Sequence, residues 1–314
     1  MRRFVALRLV QGVGTLFLLS LLVFVLIRMT GSPLDVLMGD AAQPEDLEYM
    51  ARKLGLDKPL IVQYGIYVLD LIRGDFGQSI ASKVPVLDLI LARLPNSIKL
   101  AAFSMVMGMS LAFPVGIISA VKKGGASDFF ARLIALLGQC LPNFWLGLVL
   151  IEVFAVRLGV LPTSGMGGIG HYILPGITLG WFVVAGMMRL LRSSMLDALD
   201  SEYIKLAKIK GLSETKVIWK HALKNALIPV VTFSGMYFAI LVTSAIVVEA
   251  VFVWPGVGRL LYQGILLRDF PVVQGMVFFG AAVIVAVNLA VDILYAFIDP
   301  RIRHGAVGQT KGPK

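Results

Sequence analysis

The amino-acid sequence predicts an all-α, polytopic membrane protein with six transmembrane helices. Of its 314 residues, 58% are hydrophobic and 15% are charged, whereas soluble domains average about 45–50% apolar and about 25% charged residues. The mean hydropathy is +0.85, and the apolar residues form runs that match the roughly 20 residues needed to cross the hydrocarbon. A chain built around one large soluble core is therefore excluded.

Six apolar runs define the candidate spans. The first follows Arg2, Arg3 and Arg8, as a signal peptide would, but its apolar run exceeds the roughly 7–15 residues of a signal sequence. We therefore expect it to be retained as a span. The candidate spans are residues 9–27, 100–121, 133–156, 172–188, 227–253 and 272–298.

The distribution of lysine and arginine predicts the orientation, because these residues favour cytoplasmic loops. Residues 189–224 hold eight of them, whereas the two short loops on the opposite side hold only Arg157, Arg259 and Arg268. Both termini are therefore predicted to be cytoplasmic. The net charge of +10 then reflects membrane orientation, and no nucleic-acid partner is expected.

The first long loop, residues 31–96, is predicted to lie outside the membrane as a small helical lobe. It carries nine acidic and six basic residues. Residues 43–77 show helical periodicity and end in a turn at Gly74 and Gly77. We assign residues 1–304 to a single transmembrane domain, and we expect the polar, glycine-rich residues 305–314 to be a disordered cytoplasmic tail.

The sequence lacks the motifs of an enzyme or a metalloprotein. No GxxxxGK[ST] phosphate-binding loop occurs, and the histidines His171, His221 and His304 are too far apart for a metal-binding pattern. Cys140 is the only cysteine, so no intrachain disulfide can form. We therefore expect no catalytic residue, cofactor site or metal site in this chain.

Acidic residues within the candidate spans are Glu152, Glu249 and Asp292, and each lies nearer a span end than the middle. Carriers driven by protons or sodium usually keep ionisable groups or broken helices near the midplane. The pattern predicts pairing with a neighbouring helix or with interfacial water. It argues against a carrier that powers itself.

Prolines interrupt several spans, at Pro114, Pro142, Pro175 and Pro229. Each removes a backbone hydrogen bond and can kink its helix, and Pro229 is expected to open the fifth span. Small residues accompany them, as in GMSLAFPVG and LPGITLG, which is typical of close helix packing. A role in a translocation pathway is equally open, with Asn143 as a further pathway candidate.

Residues 201–230 form the most organised basic segment of the chain. Tyr203, Leu206 and Ala207 fall on one face of a short helix, Gly211 ends it, and Ser213 can cap the next helix. The pattern predicts a helix at the tip of a cytoplasmic hairpin. It could rest on anionic lipid, worth about 1 kcal/mol per lysine, but its apolar face favours docking to a protein.

This segment carries a specific resemblance. YIKLAKIKGLSETKVIWKHALKNALIPV (203–230) resembles the cytoplasmic coupling segment, here residues 193–226, of inner-membrane permeases of ATP-binding-cassette importers. GLDKPLIVQYGIYVLDLIRGDFGQSI (55–80) resembles the outer lobe of the B-type permease of the dipeptide/oligopeptide/nickel class. Further matches to that class are LPNS (94–97), PNFWLGL (142–148), ILPGITLG (173–180), VVEAVFVWPGVGRLL (247–261), RDFPVVQG (268–275) and DPRIR (299–303).

The resemblance implies a type I importer permease fold in a bacterial cytoplasmic membrane, with lipid around it. It also implies a second homologous permease, two cytoplasmic ATPases that bind ATP and Mg, and an extracytoplasmic binding protein. Peptides are the first choice of cargo, followed by nickel or another chelated or small solute. The residues assigned to ATPase coupling are Glu202, Tyr203, Leu206, Ala207, Lys208 and Gly211.

The resemblance has one departure, since the general permease signature begins Glu-Ala-Ala six residues before its glycine. Here Lys205, Leu206 and Ala207 occupy those positions. The loops 31–96 and 254–271 are expected to receive the binding protein. The residues assigned to that contact are Asp75, Phe76, Trp254 and Pro255.

Two other classes of function remain as alternatives. A secondary carrier would transport solute without an ATPase, and a scaffold or receptor would transport none. The missing mid-membrane charge relay argues against the carrier.

Overall fold

A computed structural model describes residues 2–30, 51–52 and 57–298, and within them all regular elements are helices. The predicted tail lies outside the described residues, as does most of the first half of the predicted outer lobe. The helices are α1 (Arg2–Thr30), α2 (Leu60–Ile72), α3 (Val86–Val121), α4 (Ala126–Cys140), α5 (Asn143–Leu150), α6 (Gly170–Asp200), α7 (Glu202–Ile209), α8 (Leu223–Ser244), α9 (Ile246–Val251), α10 (Val257–Leu266) and α11 (Phe270–Ile298).

Five helices in the described part of the chain are long and apolar enough to cross a membrane, namely α1, α3, α6, α8 with the turns before it, and α11. A sixth span results if α4 and α5 are counted together, although these two helices meet at a bend of 104°. A π-helical segment, Ile151–Arg157, extends α5. Membrane-spanning helices satisfy most backbone hydrogen bonds within the segment, since lipid offers no substitute partner.

Pro229 does not open a helix, contrary to expectation. It lies inside α8, which starts at Leu223 after the short helical turn Glu214–Lys216 and the π-helical segment Val217–Ala222. The fifth span is thus continuous with the basic segment before it. A proline is tolerated there because membrane helices can satisfy the freed carbonyl by local adjustment.

Contacts divide the chain into two compact units, one of Met1–Leu94 with Leu260–Lys314 and one of Pro95–Arg259. In the first unit, α2 packs along the C-terminal half of α1. The Tyr64 hydroxyl lies 2.9 Å from the Ser20 hydroxyl, and Tyr67 stacks on Phe24 with ring centroids 5.8 Å apart. Burial, with a smaller contribution from Tyr64, raises the pKa of Tyr67 to about 12, so this phenol remains neutral at physiological pH.

The turn between α2 and α3, also in the first unit, is held by one carboxylate. Asp269, just before α11, is 2% exposed. It accepts hydrogen bonds from the Ser79 hydroxyl at 2.5 Å and from the backbone amides of Ile80 and Ala81 at 3.0 and 3.1 Å. Three donors on consecutive residues fix the turn to the start of α11.

Asp269→Ala is expected to loosen this turn without unfolding the helices. Leaving buried donors unsatisfied costs about 1–3 kcal/mol, so hydrogen exchange at the Ile80 and Ala81 amides should accelerate about tenfold or more. Mass-spectrometric hydrogen exchange measures this. Asp75→Ala is the matched control, since that exposed carboxylate bonds only the Gly77 amide. Equal exchange in both variants would contradict the assignment.

In the second unit, α6 is the central helix, and small residues let α3 and α4 approach it closely. A Cβ on Gly180 of α6 would lie 2.7 Å from the backbone oxygen of Ser104. A Cβ on Gly138 of α4 would lie 2.6 Å from the Cβ of Ala185. Such approach distances leave no room for larger side chains, so α3, α4 and α6 pack as one tight group.

Candidate functional site

The short helix α7 follows α6 directly and ends in a defined cap. The Gly211 amide donates to the carbonyl of Lys208 at 3.0 Å, and the Leu212 amide donates to that of Ala207 at 3.3 Å. Gly211 has φ +73°, the left-handed conformation that this double hydrogen-bonded helix end requires. The sequence prediction that glycine ends this helix is therefore confirmed.

The two faces of α7 differ from the predicted arrangement. Ile204 and Ala207 are turned inward, at 0% and 8% exposure, whereas Tyr203, Leu206 and Ile209 are exposed at 41%, 56% and 81%. Ala207 was expected to share a face with Tyr203 and Leu206, and this is wrong because it packs on the protein side with Ile204. We call the exposed apolar residues Tyr203, Leu206 and Ile209 the coupling surface.

The basic hairpin, residues 193–226, holds α7 through a contact from the segment that follows it. The side-chain amide of Asn225 donates to the Tyr203 hydroxyl at 2.9 Å, and Lys205 pairs with Glu202 at 2.9 Å on the exposed side. Ser213 occupies the capping position of the following turn, but its side chain makes no capping hydrogen bond. The tip is thus held through α6 and the segment leading into α8.

Basic side chains surround the coupling surface. Every lysine of the hairpin is exposed, and Trp219 adds an indole ring that is 58% exposed. Exposed apolar side chains on a segment that also carries exposed charges are compatible with a protein-docking surface. The lysines are Lys205, Lys208, Lys210, Lys216, Lys220 and Lys224.

Of the first pair of predicted binding-protein contacts, Asp75 is exposed and Phe76 is half-buried. The Asp75 carboxylate accepts a hydrogen bond from the Gly77 amide at 2.8 Å. Phe76 packs towards Phe278, with ring centroids 6.2 Å apart. Asp75 is therefore available at the surface, whereas Phe76 contributes mainly to packing.

Trp254 was expected to face a partner, but it is fully buried within the second unit. Its indole donates to the carbonyl of Asn96 at 3.1 Å and meets the ring of Tyr172 edge to face at 4.7 Å. Pro255 is partly exposed, and its carbonyl accepts from the Asn96 side chain at 3.0 Å. Only Pro255 of this pair lies near the surface, because the indole needs a dry pocket with a hydrogen-bond acceptor.

Beside Trp254, a buried carboxylate organises the loop between α9 and α10. Glu249 is 0% exposed. It accepts hydrogen bonds from the Ser97 hydroxyl at 2.5 Å and from the Arg259 amide at 3.0 Å. A Cβ on Gly256 would clash with the Glu249 carboxyl oxygens, so the loop closes tightly around this side chain. Glu249 therefore has a structural role in this loop.

The pathway candidates fall in different settings. Pro142 caps α5 at the bend, with Asn143 as the first residue of that helix. Pro114 lies on the exposed side of α3, and Pro175 is buried in α6. Their part in a pathway remains a prediction.

Sequence reasoning did not single out Asp128, near the start of α4, or Arg192 of α6. The Arg192 guanidinium donates to the Asp128 carboxylate through Nε at 2.7 Å and Nη2 at 3.1 Å. The available signal was a lone aspartate four residues after the glycine turn that joins two spans. Its partner is 64 residues away, so no local pattern could have named Arg192.

Comparison with known families decides the class of this protein. Residues 112–304 match the family described as "Binding-protein-dependent transport system inner membrane component", and residues 1–101 match its companion, "Binding-prot-dependent transport system membrane comp, N-term". The chain is 43% identical over 305 residues to the glutathione transport system permease protein GsiC of Escherichia coli (strain K12). That match covers 97% of this chain and 100% of the relative. The chain belongs to this family of importer permeases.

The same relative from Shigella flexneri serotype 5b (strain 8401) is also 43% identical, with equal coverage. Two solved structures share the fold of this permease. An amino acid ABC transporter crystallised with histidines has a TM-score of 0.51 at 16% identity, covering 68% of this chain and 94% of that one. The inward-facing MetNI methionine ABC transporter has a TM-score of 0.52 at 17% identity, and the match covers 67% of this chain and 96% of that one. The predicted all-α, polytopic, type I importer fold is confirmed.

Proposed function

We propose that this permease carries short peptides of the glutathione type inward across the cytoplasmic membrane. The observation that supports this choice of cargo is the 43% sequence identity to glutathione permeases over nearly the whole chain. Glutathione is itself a tripeptide, so the expectation of peptide cargo and this relationship agree. Nickel and other chelated solutes are the competing cargo.

The driving force is ATP hydrolysis by partner subunits that dock on the coupling surface. The sequence has no phosphate-binding loop of its own, whereas α7 offers exposed apolar side chains with lysines around them. Because α7 continues from α6 through a single residue, Ser201, a displacement of α7 moves the central helix of the second unit. ATP and Mg are bound by the partners.

The assembly contains a second, homologous permease, two ATPases and an extracytoplasmic binding protein. The basic hairpin, with α7 at its tip, faces the cytoplasm, in agreement with the preference of lysine and arginine for that side. Asp75 and Pro255, in the outer loops, face the binding protein. Both termini are cytoplasmic.

The test is reconstitution in vesicles that enclose ATP and carry the permease pair with its ATPases, the binding protein being added outside. We expect uptake of labelled glutathione or dipeptides that stops when ATP is omitted. Uptake of a nickel chelate but of no peptide would overturn the cargo. Uphill uptake by the permease chain without the ATPases would overturn the mechanism.

A further inference from the structure

One buried carboxylate in the second unit joins three helices near the cytoplasmic hairpin. The Asp128 side chain is 2% exposed. In addition to the two bonds from Arg192, it accepts the Ser119 hydroxyl at 2.7 Å and the Gly124 amide at 3.0 Å. Ser119 belongs to the end of α3, Gly124 to the turn, and Asp128 to the first turn of α4. We call this group of four residues the Asp128 junction.

The Asp128 junction depends on a specific arrangement of two charged side chains. Arg192 is 23% exposed, and its guanidinium presents two donors in a fixed fork to the carboxylate. The Arg132 guanidinium lies 3.7 Å from the Asp128 carboxylate with a side chain that is 60% exposed, and it donates to the Asp128 backbone carbonyl at 3.4 Å. Its charge is screened by solvent, so it contributes less than Arg192. Removing either member of the central pair would leave the other charge largely buried without its partner.

The position of the junction matters as much as its bonds. Arg192 lies eight residues before the end of α6 at Asp200, a distance of about 12 Å along the helix. α7, which carries the coupling surface, begins two residues later at Glu202. Towards the N-terminus of α6, away from α7, α3 and α4 pack closely against this helix at Gly180 and Ala185. The junction is therefore the polar contact between α6 and the α3–α4 turn that lies nearest to α7 in the described part of this unit.

We propose that Asp128 and Arg192 are positioning residues that transmit the displacement of α7 to α3 and α4. This inference rests on the proposed function, because it assigns a path for the force that the ATPases deliver. With the junction intact, α6 moves together with the α3–α4 turn. With it broken, α7 and α6 can follow the ATPases while the α3–α4 turn lags behind.

The test measures solute uptake and ATP hydrolysis in the same reconstituted complex for Asp128→Asn and Arg192→Lys. Asparagine keeps the shape of the aspartate, and lysine keeps the charge but loses the two-donor fork. We expect ATP hydrolysis to continue and uptake per ATP to fall about tenfold, within the range for residues that carry coupling. The double variant should lose no more than the worse single variant, since both changes break one contact.

Glu152→Gln is the matched control, because Glu152 pairs with Arg157 at 2.9 Å on an exposed surface of the same unit. Its uptake per ATP should equal that of the unmodified permease. If Asp128→Asn fails to assemble, Arg192→Lys decides the question. An unchanged ratio in Arg192→Lys, or a parallel loss of uptake and hydrolysis, would overturn the proposal. Normal transport by the unmodified complex would leave the proposed function standing in either case.

Discussion

We expect Gly211→Val to reduce ATP-driven uptake about tenfold, because a left-handed backbone costs an L-residue about 1–2 kcal/mol and more for a β-branched one. Gly211 has φ +73°, and apart from its chain neighbours no atom of the described residues lies within 4 Å of a Cβ built there. The penalty therefore comes from the contact of the Cβ with its own local backbone and not from a clash with packed neighbours. The cap that ends α7 would open, and the coupling surface would lose its fixed position under the ATPases.

A graded series separates this cause from others. Gly211→Asn should retain most uptake, because asparagine tolerates the left-handed region, and Gly211→Ala should fall between Asn and Val. Uptake and stimulated ATP hydrolysis are measured in reconstituted vesicles, with the assembled complex quantified by size-exclusion chromatography. Normal uptake and hydrolysis in the valine variant would refute the role of Gly211 in coupling.

Glu249→Ala is expected to give the largest loss of stability. It leaves the Ser97 hydroxyl and the Arg259 amide without their acceptor in a buried site and adds a cavity, for a total of about 3 kcal/mol or more. Thermal unfolding of the purified permease in detergent, followed by the intrinsic fluorescence of its tryptophans, should shift down by several degrees. The fluorescence of Trp254 reports on this loop, because its backbone amide donates a hydrogen bond to the Glu249 backbone carbonyl.

Two variants calibrate that result. Glu152→Ala removes an exposed carboxylate and should change stability by no more than about 0.5 kcal/mol. Glu249→Gln keeps the volume but replaces an oxygen acceptor by a donor, so it should fall between the two. A melting curve for Glu249→Ala that superimposes on the control would show that the loop does not depend on the carboxylate.

Hydropathy and local signals predicted the helical class and the position of most spans. The apolar runs are long and carry few charges, and the lipid solvent permits few structures other than helices. Gly211 was also predictable, because a helix end needs a residue that accepts positive φ. Which residues of the hairpin are buried was harder to predict. Ala207 is small enough to pack against either side, and the sequence does not record which neighbour it meets.

The long-range polar contacts could not be predicted. Asp269 meets Ser79 across 190 residues, and Glu249 meets Ser97 across 152. One carboxylate among apolar residues indicates only that some partner exists. Pro142 shows a similar limit, since a proline predicts a kink but the 104° between α4 and α5 depends on the packing of both helices.

The bend at Pro142 also constrains which side of the permease lipid can touch. Proline has no amide hydrogen, so the carbonyl of Gly138 receives no donor from the position four residues ahead. Acyl chains offer no substitute, and irregular backbone at membrane depth is tolerated only beside protein or water. At Gly138 the neighbouring protein is α6, whose Trp181 and Ala185 lie against this glycine, so the close packing of α4 on α6 is what lets the bend sit at membrane depth.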